Sequence, residues 1–216
     1  MSIRIDQLPR DKFIMPGTAA CPPGCPLLIG LRQVMMALNG KMSLVIPAGC
    51  SSVIPGMSPA TSYGVPTIHV PFASSPAVAS GLVSAVRMRG GNNGPVVVWA
   101  GGDGGASSDI GFAALSGAAA RNEDLIYILA DNEAYMNTGI QASGTTPWMA
   151  WTTTSPNGKT EERKEMALIM LMHKIPYVAT ASIAYPPLDF IAKVRKASQI
   201  RGFKFIHLYA PCPPLA

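Results

Sequence analysis

The stretch PVVVWAGGDGG, residues 95–105, decides the fold. Its first half is apolar throughout, which is typical of a strand buried on both faces of a parallel sheet. Its second half places glycines around Asp103, and a helical pattern follows at Ser108–Arg121. A strand, a glycine-rich turn and a helix in this order predict an α/β unit with a ligand site at the carboxyl end of the strand.

The same alternation of apolar runs and helical periods continues on both sides of this stretch. Ser51–Pro71 is rich in Gly, Pro and Ser and is predicted to be a long functional loop. Buried strands that alternate with helices indicate a mostly parallel sheet with helices on both faces, in one domain spanning 1–216. Further strands are predicted at Ser43–Pro47, Leu125–Ala130, Tyr177–Thr180 and Lys204–Leu208, and further helices at Leu27–Leu38, Ser75–Met88, Thr160–His173 and Leu188–Ser198.

The composition points to partner subunits and away from nucleic acid. Only 13% of the residues are charged and 48% are hydrophobic, against roughly 25% charged in an average soluble domain. Such a chain either hides apolar surface against other subunits or has an unusually Met-rich core, since it contains 12 methionines. The net charge of +5 comes from scattered Lys and Arg residues without a dense basic stripe, so no nucleic-acid partner is expected.

The sequence shows no signal for export and no segment that would span a membrane. Met1–Arg10 lacks an apolar core of the kind found in signal peptides, and no run of about 18 apolar residues exists. We therefore expect a cytoplasmic location. In that reducing compartment cysteines serve metal or redox sites more often than disulfides.

A second polar loop follows the next predicted strand, where Asp131–Gly139 has the sequence DNEAYMNTG. The 27 residues 105–131 separate Gly104 from Asn132, enough for one helix and one strand that return the chain to the same sheet edge. Asp103 and Asn132 would then lie side by side. Their oxygens suit Mg²⁺, which commonly bridges protein carboxylates and phosphates.

Gly-Asp-Gly followed by Asn after this interval resembles the motif of thiamine-diphosphate enzymes. More narrowly, DNEAYMNTGIQASGTTPWMAWTTTSPNGK, residues 131–159, is similar to the corresponding segment in the β subunits of pyruvate:ferredoxin oxidoreductases and their relatives. The likeness extends from about Leu8 to Pro213. In this family one residue fewer commonly separates Gly-Asp-Gly from the Asp-Ile-Gly found here at 109–111.

The resemblance implies a thiamine-diphosphate site. Asp103, the Asn132 side chain and the Ala134 carbonyl would hold Mg²⁺, and Asn137 would lie near the reacting carbon. The residues expected to line the cofactor are Gly49, Cys50, Gly102, Asp103, Gly104, Gly105, Asn132 and Ala134.

Four thiols are spread over the chain as Cys21, Cys25, Cys50 and Cys212. Fourfold thiolate sets suit an iron–sulfur cluster or zinc, and buried unmetallated thiols are the remaining interpretation. The order of a close pair in a loop at about 17–26, a third Cys after a helix and strand, and a Pro-Cys-Pro string resembles the [4Fe-4S] ligation of the family. The family usually has two residues between the first pair, where this chain has three.

The resemblance further implies oxidative decarboxylation of a 2-oxoacid, with pyruvate the first expectation, and acyl transfer to coenzyme A with ferredoxin as electron acceptor. The glutamate that activates the cofactor belongs to another polypeptide or domain of the family, so activity is expected only with partner subunits. Two alternatives stay open: an assembly subunit that lacks the cluster, and a thiamine-diphosphate decarboxylase without electron transfer.

Overall fold

The computed structural model describes residues 5–11, 13, 14, 21, 24–56, 61–90, 94–102, 104–184, 186 and 188–213. Over these residues the strands are β1 (Ser43–Pro47), β2 (Thr67–Val70), β3 (Val96–Gly101), β4 (Leu125–Asp131), β5 (Tyr177–Ser182) and β6 (Lys204–Tyr209). The α-helices are α1 (Pro26–Ala37), α2 (Cys50–Val53), α3 (Ser75–Met88), α4 (Phe112–Ala120), α5 (Met166–Met172) and α6 (Asp189–Ser198). Short 3₁₀ helices form at Ile5–Gln7 and Phe72–Ser74.

The strands form one sheet in the order β2-β1-β3-β4-β6-β5. Every neighbouring pair is parallel. The central strands β3 and β4 are buried along their whole length, which explains why their residues are uncharged up to Asp131, the last residue of β4. The predicted α/β class and parallel sheet are confirmed.

Two apolar layers cover the two faces of the sheet. Successive residues of β4 alternate between them: Ile126 and Ile128 belong to one layer, and Tyr127 and Leu129 to the other. The first layer contains α1 and α6, which pack on each other, and the second contains α3, α4 and α5. The predicted placement of helices on both faces is therefore confirmed.

The long loop predicted at Ser51–Pro71 is wrong in two places. Its first residues form the short helix α2, and β2 lies near its end and pairs with β1. This edge strand has only four residues, two of them exposed, and lies between Pro66 and Pro71. It therefore lacks the buried apolar run that identifies the other strands in the sequence.

Two helices begin later than predicted, because polar contacts hold the preceding residues. The N–H of Asp109 donates to the carbonyl of Gly104 and that of Gly111 to the carbonyl of Gly105, which are wider turns than those of an α-helix, and α4 starts only after Gly111. Lys164 N donates to the carbonyl of Gly144 at 2.8 Å, which ties residues before α5 to a loop. Among the described residues, no helix combines the length and apolarity needed to cross a membrane.

Candidate functional site

Four neighbouring strands place the candidate residues at one edge of the sheet. Cys50 lies just beyond β1, Gly102 beyond β3, Asn132 beyond β4 and Cys212 beyond β6. Since all these strands are parallel, their carboxyl ends share an edge, which is where open α/β sheets bind ligands. The side-by-side placement expected for the two polar loops follows from the pairing of β3 with β4.

A single cavity of about 210 Å³ at this edge is lined by all four cysteines. Asn132 and Asn137 line the same cavity. None of the four thiols is in a disulfide. The structure thus brings together side chains that are up to 191 positions apart in the sequence, from Cys21 to Cys212. The remaining wall is apolar or backbone and consists of Pro26, Leu27, Ile54, Met136 and Ala210.

Local geometry explains how two of the thiols reach the cavity. Cys25 is the N-cap residue of α1, and Pro26 begins that helix, a position where its fixed φ and missing N–H are tolerated. Gly49 has φ 133° and ψ −168°, a conformation open essentially only to glycine. This residue turns the chain from β1 into Cys50, and the Ser52 hydroxyl, which donates to the Gly49 carbonyl at 2.8 Å, holds the turn.

Gly102 is required by the close approach of Cys50. It has φ 109°, and a Cβ atom at this position would lie 2.4 Å from the Cβ of Cys50. The thiol of Cys50 donates to the carbonyl of Gly102 at 3.5 Å. This glycine, predicted to line a diphosphate, therefore also makes room for a cysteine of the cavity.

The pKa values of two of the thiols are raised at this site. Burial raises the pKa of Cys21, and the neighbouring Cys25 raises it further. Burial likewise raises the pKa of Cys212, with a second contribution from Cys25. The pKa of Tyr63 is raised as well, mainly by burial and further by the nearby Cys21 and Cys25. Four thiolates gathered here repel one another unless a cation lies between them.

Asn132 carries an unsatisfied oxygen. Its side chain is 2% exposed, and Nδ2 donates to the sulfur of Cys50 at 3.8 Å. Its Oδ1 is buried and has no hydrogen-bond partner among the described residues. Buried acceptors are rarely left unpaired, so an oxygen-seeking cation at this position fits the residue. Asp103, the predicted carboxylate ligand, lies outside the described residues.

Ala134 follows Asn132 through a turn. Glu133 between them has φ 67°, a left-handed conformation that non-glycine residues seldom adopt. Burial and the neighbouring Asp131 raise the pKa of Glu133, and Arg163 opposes this effect. Ala134 itself is buried, so the turn brings Asn132 and Ala134 to the same interior edge.

The glycine-rich loop faces a group of hydroxyls. A Cβ atom on Gly104 would lie 2.4 Å from Oγ of Ser108, and 3.2 Å from the hydroxyl oxygens of both Ser143 and Thr145. Gly105 is buried beside it, and its carbonyl accepts from the backbone of Gly111. Small residues surrounded by hydroxyl and backbone donors are suited to phosphate oxygens.

Asp131 is a site residue that the sequence prediction missed. Its carboxylate is completely buried, and Oδ2 lies 2.9 Å from Nε2 of His207. Oδ1 accepts from Thr145 Oγ1 at 2.8 Å and from the backbone of Glu133 at 2.9 Å. A fourth group, the Arg163 guanidinium, lies 3.7 Å from Oδ2. An acidic residue at the end of an apolar strand, directly before Asn132, was the available signal.

Asp109 is a second residue whose role the sequence prediction missed: it links two loops of the site. Its Oδ2 accepts from the Tyr135 hydroxyl at 2.6 Å and from the backbone of Gly144 at 2.9 Å. Lys164 Nζ lies 3.1 Å from Oδ1. This carboxylate joins the turn before α4 to the loop after β4, and thereby fixes both sides of the glycine-rich turn.

Comparison with known proteins identifies the family. The profile described as "Thiamine pyrophosphate enzyme, C-terminal TPP binding domain" matches residues 47–208. Pyruvate synthase subunit PorB of Methanothermobacter marburgensis is 49% identical over 95% of this chain and 72% of its own length. Ketoisovalerate oxidoreductase subunit VorB of Pyrococcus furiosus is 46% identical over 95% of this chain and 68% of its own length. The chain belongs to the β-subunit family of 2-oxoacid:ferredoxin oxidoreductases.

Solved structures agree with this assignment. A 2-oxoglutarate:ferredoxin oxidoreductase from Magnetococcus marinus, solved with 2-oxoglutarate, coenzyme A and succinyl-CoA bound, superimposes with a TM-score of 0.79 at 27% identity. The match covers 97% of this chain and 71% of that one. A putative thiamin diphosphate-dependent enzyme from Mycobacterium smegmatis, with a TM-score of 0.57 and 13% identity, shares the fold.

These findings confirm the resemblance, the fold and the subunit class. This oxidoreductase β subunit has a thiamine-diphosphate-binding domain and acts in a complex with other subunits. The individual ligand and catalytic residues stay predictions, as does the single-domain organisation. Of the predicted N-terminal cysteine loop, residues 17–20, 22 and 23 lie outside the described part of the chain.

Proposed function

We propose that this β subunit binds thiamine diphosphate through Mg²⁺ and holds a [4Fe-4S] cluster through Cys21, Cys25, Cys50 and Cys212. One observation carries the proposal: the four thiols line one cavity together with Asn132 and Asn137. A chain whose cysteines served packing alone would not need to gather all four at the carboxyl edge of the sheet, where open α/β sheets bind ligands.

Oxygen ligands for Mg²⁺ are present on the β4 side of the site. The unpaired Oδ1 of Asn132 would supply one and the Ala134 carbonyl a second, while Asp103, the predicted third ligand, follows β3 and lies outside the described residues. Gly102, Gly104 and Gly105 would line the diphosphate, with hydroxyls from Ser108, Ser143 and Thr145 nearby. Gly49 supports this site by placing Cys50 against Gly102.

A [4Fe-4S] cluster is proposed over a zinc ion because the order of the four cysteines along the chain resembles the cluster ligation of the family. No set of three or more Cys, His, Asp or Glu side chains in the described part of the chain is arranged to hold a metal ion. A zinc ion needs four ligands within about 2.3 Å of one point. A cubane instead binds each thiolate at a different iron atom, so its cysteines surround a volume.

The chemistry proposed is the oxidative decarboxylation of a 2-oxoacid with transfer of the acyl group to coenzyme A. Thiamine diphosphate, when bound, supplies the electron sink that decarboxylation requires. Asn137 lines the cavity and would orient the reacting carbonyl by hydrogen bonding. Leu27, Ile54 and Met136 line the cavity with apolar surface, which would keep water away from a group bound there. The two electrons released for each 2-oxoacid would pass to ferredoxin one at a time.

Pyruvate is the proposed substrate, because pyruvate synthase subunits are among the relatives at 42–49% identity. A ketoisovalerate oxidoreductase subunit at 46% makes the branched 2-oxoacid the natural comparison. The partners proposed are the other subunits of the complex, ferredoxin and coenzyme A, with neither nucleic acid nor membrane. A cytoplasmic location suits thiolates that must stay reduced.

The test is anaerobic purification of the whole complex, followed by iron and acid-labile sulfide analysis and an EPR spectrum after dithionite reduction. We expect about four irons per β chain, beyond those on other subunits, and loss of that signal in Cys50→Ser. Thiamine diphosphate and Mg²⁺ should co-purify. Pyruvate with coenzyme A should reduce ferredoxin faster than 2-oxoisovalerate does.

Two other outcomes select the alternatives. Full turnover in the double variant Cys21→Ser/Cys25→Ser would assign those residues to a role that does not involve a cluster, as expected of an assembly subunit. Release of free aldehyde from pyruvate, without reduction of a one-electron dye, would identify a non-oxidative decarboxylase. A complex with neither thiamine diphosphate nor iron overturns the proposal altogether.

A further inference from the structure

Asp131 places a carboxyl group where an uncompensated polar group is costly. Its side chain is completely buried, and a carboxylate is retained in such a place only if partners compensate it. Four groups do so: the backbone of Glu133, the hydroxyl of Thr145, the ring of His207 and the guanidinium of Arg163. The carboxylate is outside the ligand set proposed above, so its role has to be sought in what these contacts position.

The first contact shapes the proposed Mg²⁺ loop. Oδ1 of Asp131 accepts from the backbone N–H of Glu133, two residues further along, which is the Asx-turn arrangement. It stabilises the left-handed conformation of Glu133, φ 67°. That conformation lies between Asn132 and Ala134, and therefore sets the angle between the two oxygens that they offer.

The second contact reaches the hydroxyl side of the site. Thr145 Oγ1 donates to the same Oδ1 at 2.8 Å. Thr146 donates from its hydroxyl to the carbonyl of Glu133. Asp131 thus ties the hydroxyls that face Gly104 to the turn that carries Asn132.

The third contact reaches the strand that leads to Cys212. His207 lies on β6 opposite Leu129 of β4. Because a carboxylate can only accept, Nε2 of His207 carries the hydrogen in this pair. The main chain of Asp131 repeats the link, since its carbonyl accepts from the N–H of Ala210 at 2.8 Å. Cys212 follows Ala210 by two residues. Asp131 of β4 therefore fixes the position of the segment after β6 that carries the Cys212 thiol.

We propose that Asp131, with His207 as its partner, is a positioning residue that holds the Asn132–Ala134 turn in a fixed relation to the Cys212 segment. This inference rests on the proposed function, because it assigns the turn to the cofactor and Cys212 to the cluster. It adds that the spacing between the two centres is set by a buried carboxylate–imidazole pair that binds neither.

The test compares Asp131→Ala, Asp131→Asn, His207→Phe and His207→Gln in the intact complex. Gln keeps an N–H donor near the position of Nε2, whereas Phe fills the space without one. The matched control applies the same Phe and Gln changes to His69, which is exposed on the edge strand β2. The readouts are the dissociation constant of thiamine diphosphate with saturating Mg²⁺, iron content, the EPR line shape of the reduced complex, and kcat separately from KM for pyruvate.

We expect Asp131→Ala and His207→Phe to weaken thiamine diphosphate binding by about tenfold or more. Substitution of a residue that orients a metal ligand commonly has an effect of this size. kcat should fall at saturating thiamine diphosphate while KM for pyruvate stays the same. Iron content should be retained, with an altered EPR line shape. His207→Gln should recover most of the binding and kcat lost in His207→Phe, and Asp131→Asn should lie between Asp131→Ala and the unmodified complex.

Failure of this inference is distinct from failure of the proposed function. If the unmodified complex holds thiamine diphosphate and iron, the proposed function stands whatever the variants do. The positioning role is overturned if Asp131→Asn and His207→Phe lower only the melting temperature and leave cofactor affinity, line shape and kcat as they were. It is also overturned if His207→Gln is as defective as His207→Phe.

Discussion

The amide nitrogen of Asn132 donates a hydrogen bond to the sulfur of Cys50 at 3.8 Å, across 82 positions of sequence. One residue comes from the end of β4 and the other from the turn after β1, with β3 between them. The contact joins the proposed magnesium ligand to a proposed cluster ligand. It also fixes the amide so that Oδ1 faces away from the thiol and is left without a partner in the described part of the chain.

Changing Asn132 to Asp should therefore alter the proposed cluster while leaving the binding of thiamine diphosphate intact. The carboxylate keeps an oxygen for Mg²⁺, so thiamine diphosphate should still bind. The N–H donor to Cys50 is lost and a negative charge is added beside a thiolate, which disfavours the reduced cluster. We expect a lower midpoint potential, measured by redox titration with EPR detection. Loss of thiamine diphosphate with an unchanged potential would contradict the placement of Asn132 between the two centres.

The part of this site that the sequence could predict depends on nearest-neighbour strands. β3 and β4 are consecutive, largely apolar and followed by polar loops, so the sequence could place the loop of Asp103 beside the loop of Asn132, and the pairing of the two strands agrees with this placement of the loops. The pairing of β4 with β6 skips β5 along the chain. Nothing local in the sequence around His207 reveals Asp131, 76 positions away, as its partner.

The elements that were missed lack burial or length. β2 has four residues between two prolines, and α2 has four residues after Gly49. Neither offers a periodic apolar pattern over enough residues to be recognised. Starts of α4 and α5 were misplaced for another reason, since tertiary contacts of the Asp109 side chain with Tyr135 and Gly144, and of Lys164 N–H with the Gly144 carbonyl, hold the preceding residues outside the helices.

Substituting Gly102 by Ala should disrupt the cysteine cavity. Its φ of 109° is strained for any L side chain, and the added Cβ would lie 2.4 Å from Cβ and 2.9 Å from the backbone nitrogen of Cys50. Relief requires movement of Cys50 away from the cavity. We expect iron content to fall and the free energy of unfolding to drop by about 1–3 kcal/mol from the backbone strain alone.

The matched control is Gly81→Ala. Gly81 is exposed within α3, and a Cβ there meets nothing within 4 Å. In a helix interior this change should stabilise by roughly 0.5–1 kcal/mol and leave iron content unaltered. Equal iron loss in both variants would mean that Gly102 has no special relation to Cys50.

Asp124 should make the complex sensitive to acid at the other end of the sheet. Burial by itself would raise the pKa of Asp124, but bonds from Lys204 at 2.7 Å and Arg201 at 2.9 Å outweigh it and lower the pKa. A carboxyl group whose pKa is lowered by folding stabilises the protein at any pH above its pKa in the unfolded chain, about 3.9. This stabilisation is lost as the pH falls through the pKa of the group in the folded protein. Melting temperature should therefore drop below about pH 4.

The variant Asp124→Asn should flatten this acid dependence and lower stability at neutral pH. It leaves Lys204, whose side chain is 2% exposed, without its carboxylate, and breaking such a buried pair costs about 3–5 kcal/mol. Asp189→Asn is the control, because the Asp189–Lys193 pair is more exposed and should contribute under about 1 kcal/mol. An Asp124→Asn complex that keeps the acid limb of the unmodified protein would assign that limb to other groups.

Ser51 should couple the packing of the sheet to the position of Cys50. Its hydroxyl accepts from Nε1 of the buried Trp99 at 2.9 Å, and its carbonyl accepts from the Tyr63 hydroxyl at 2.9 Å. Ser51→Ala leaves the indole N–H unpaired in the core, which costs about 1–3 kcal/mol. Because Ser51 is adjacent to Cys50, the loosened turn should also expose the proposed cluster, and iron should be lost faster in air. Ser84→Ala, on the exposed part of α3, should change neither property.

In a Trp99→Phe background the free-energy cost of Ser51→Ala should largely disappear, since the unpaired donor is then absent. The cycle is measured by thermal unfolding of the four complexes, with iron release followed alongside. Additive effects of Ser51→Ala and Trp99→Phe would show that the hydrogen bond between Ser51 and Trp99 contributes nothing to stability.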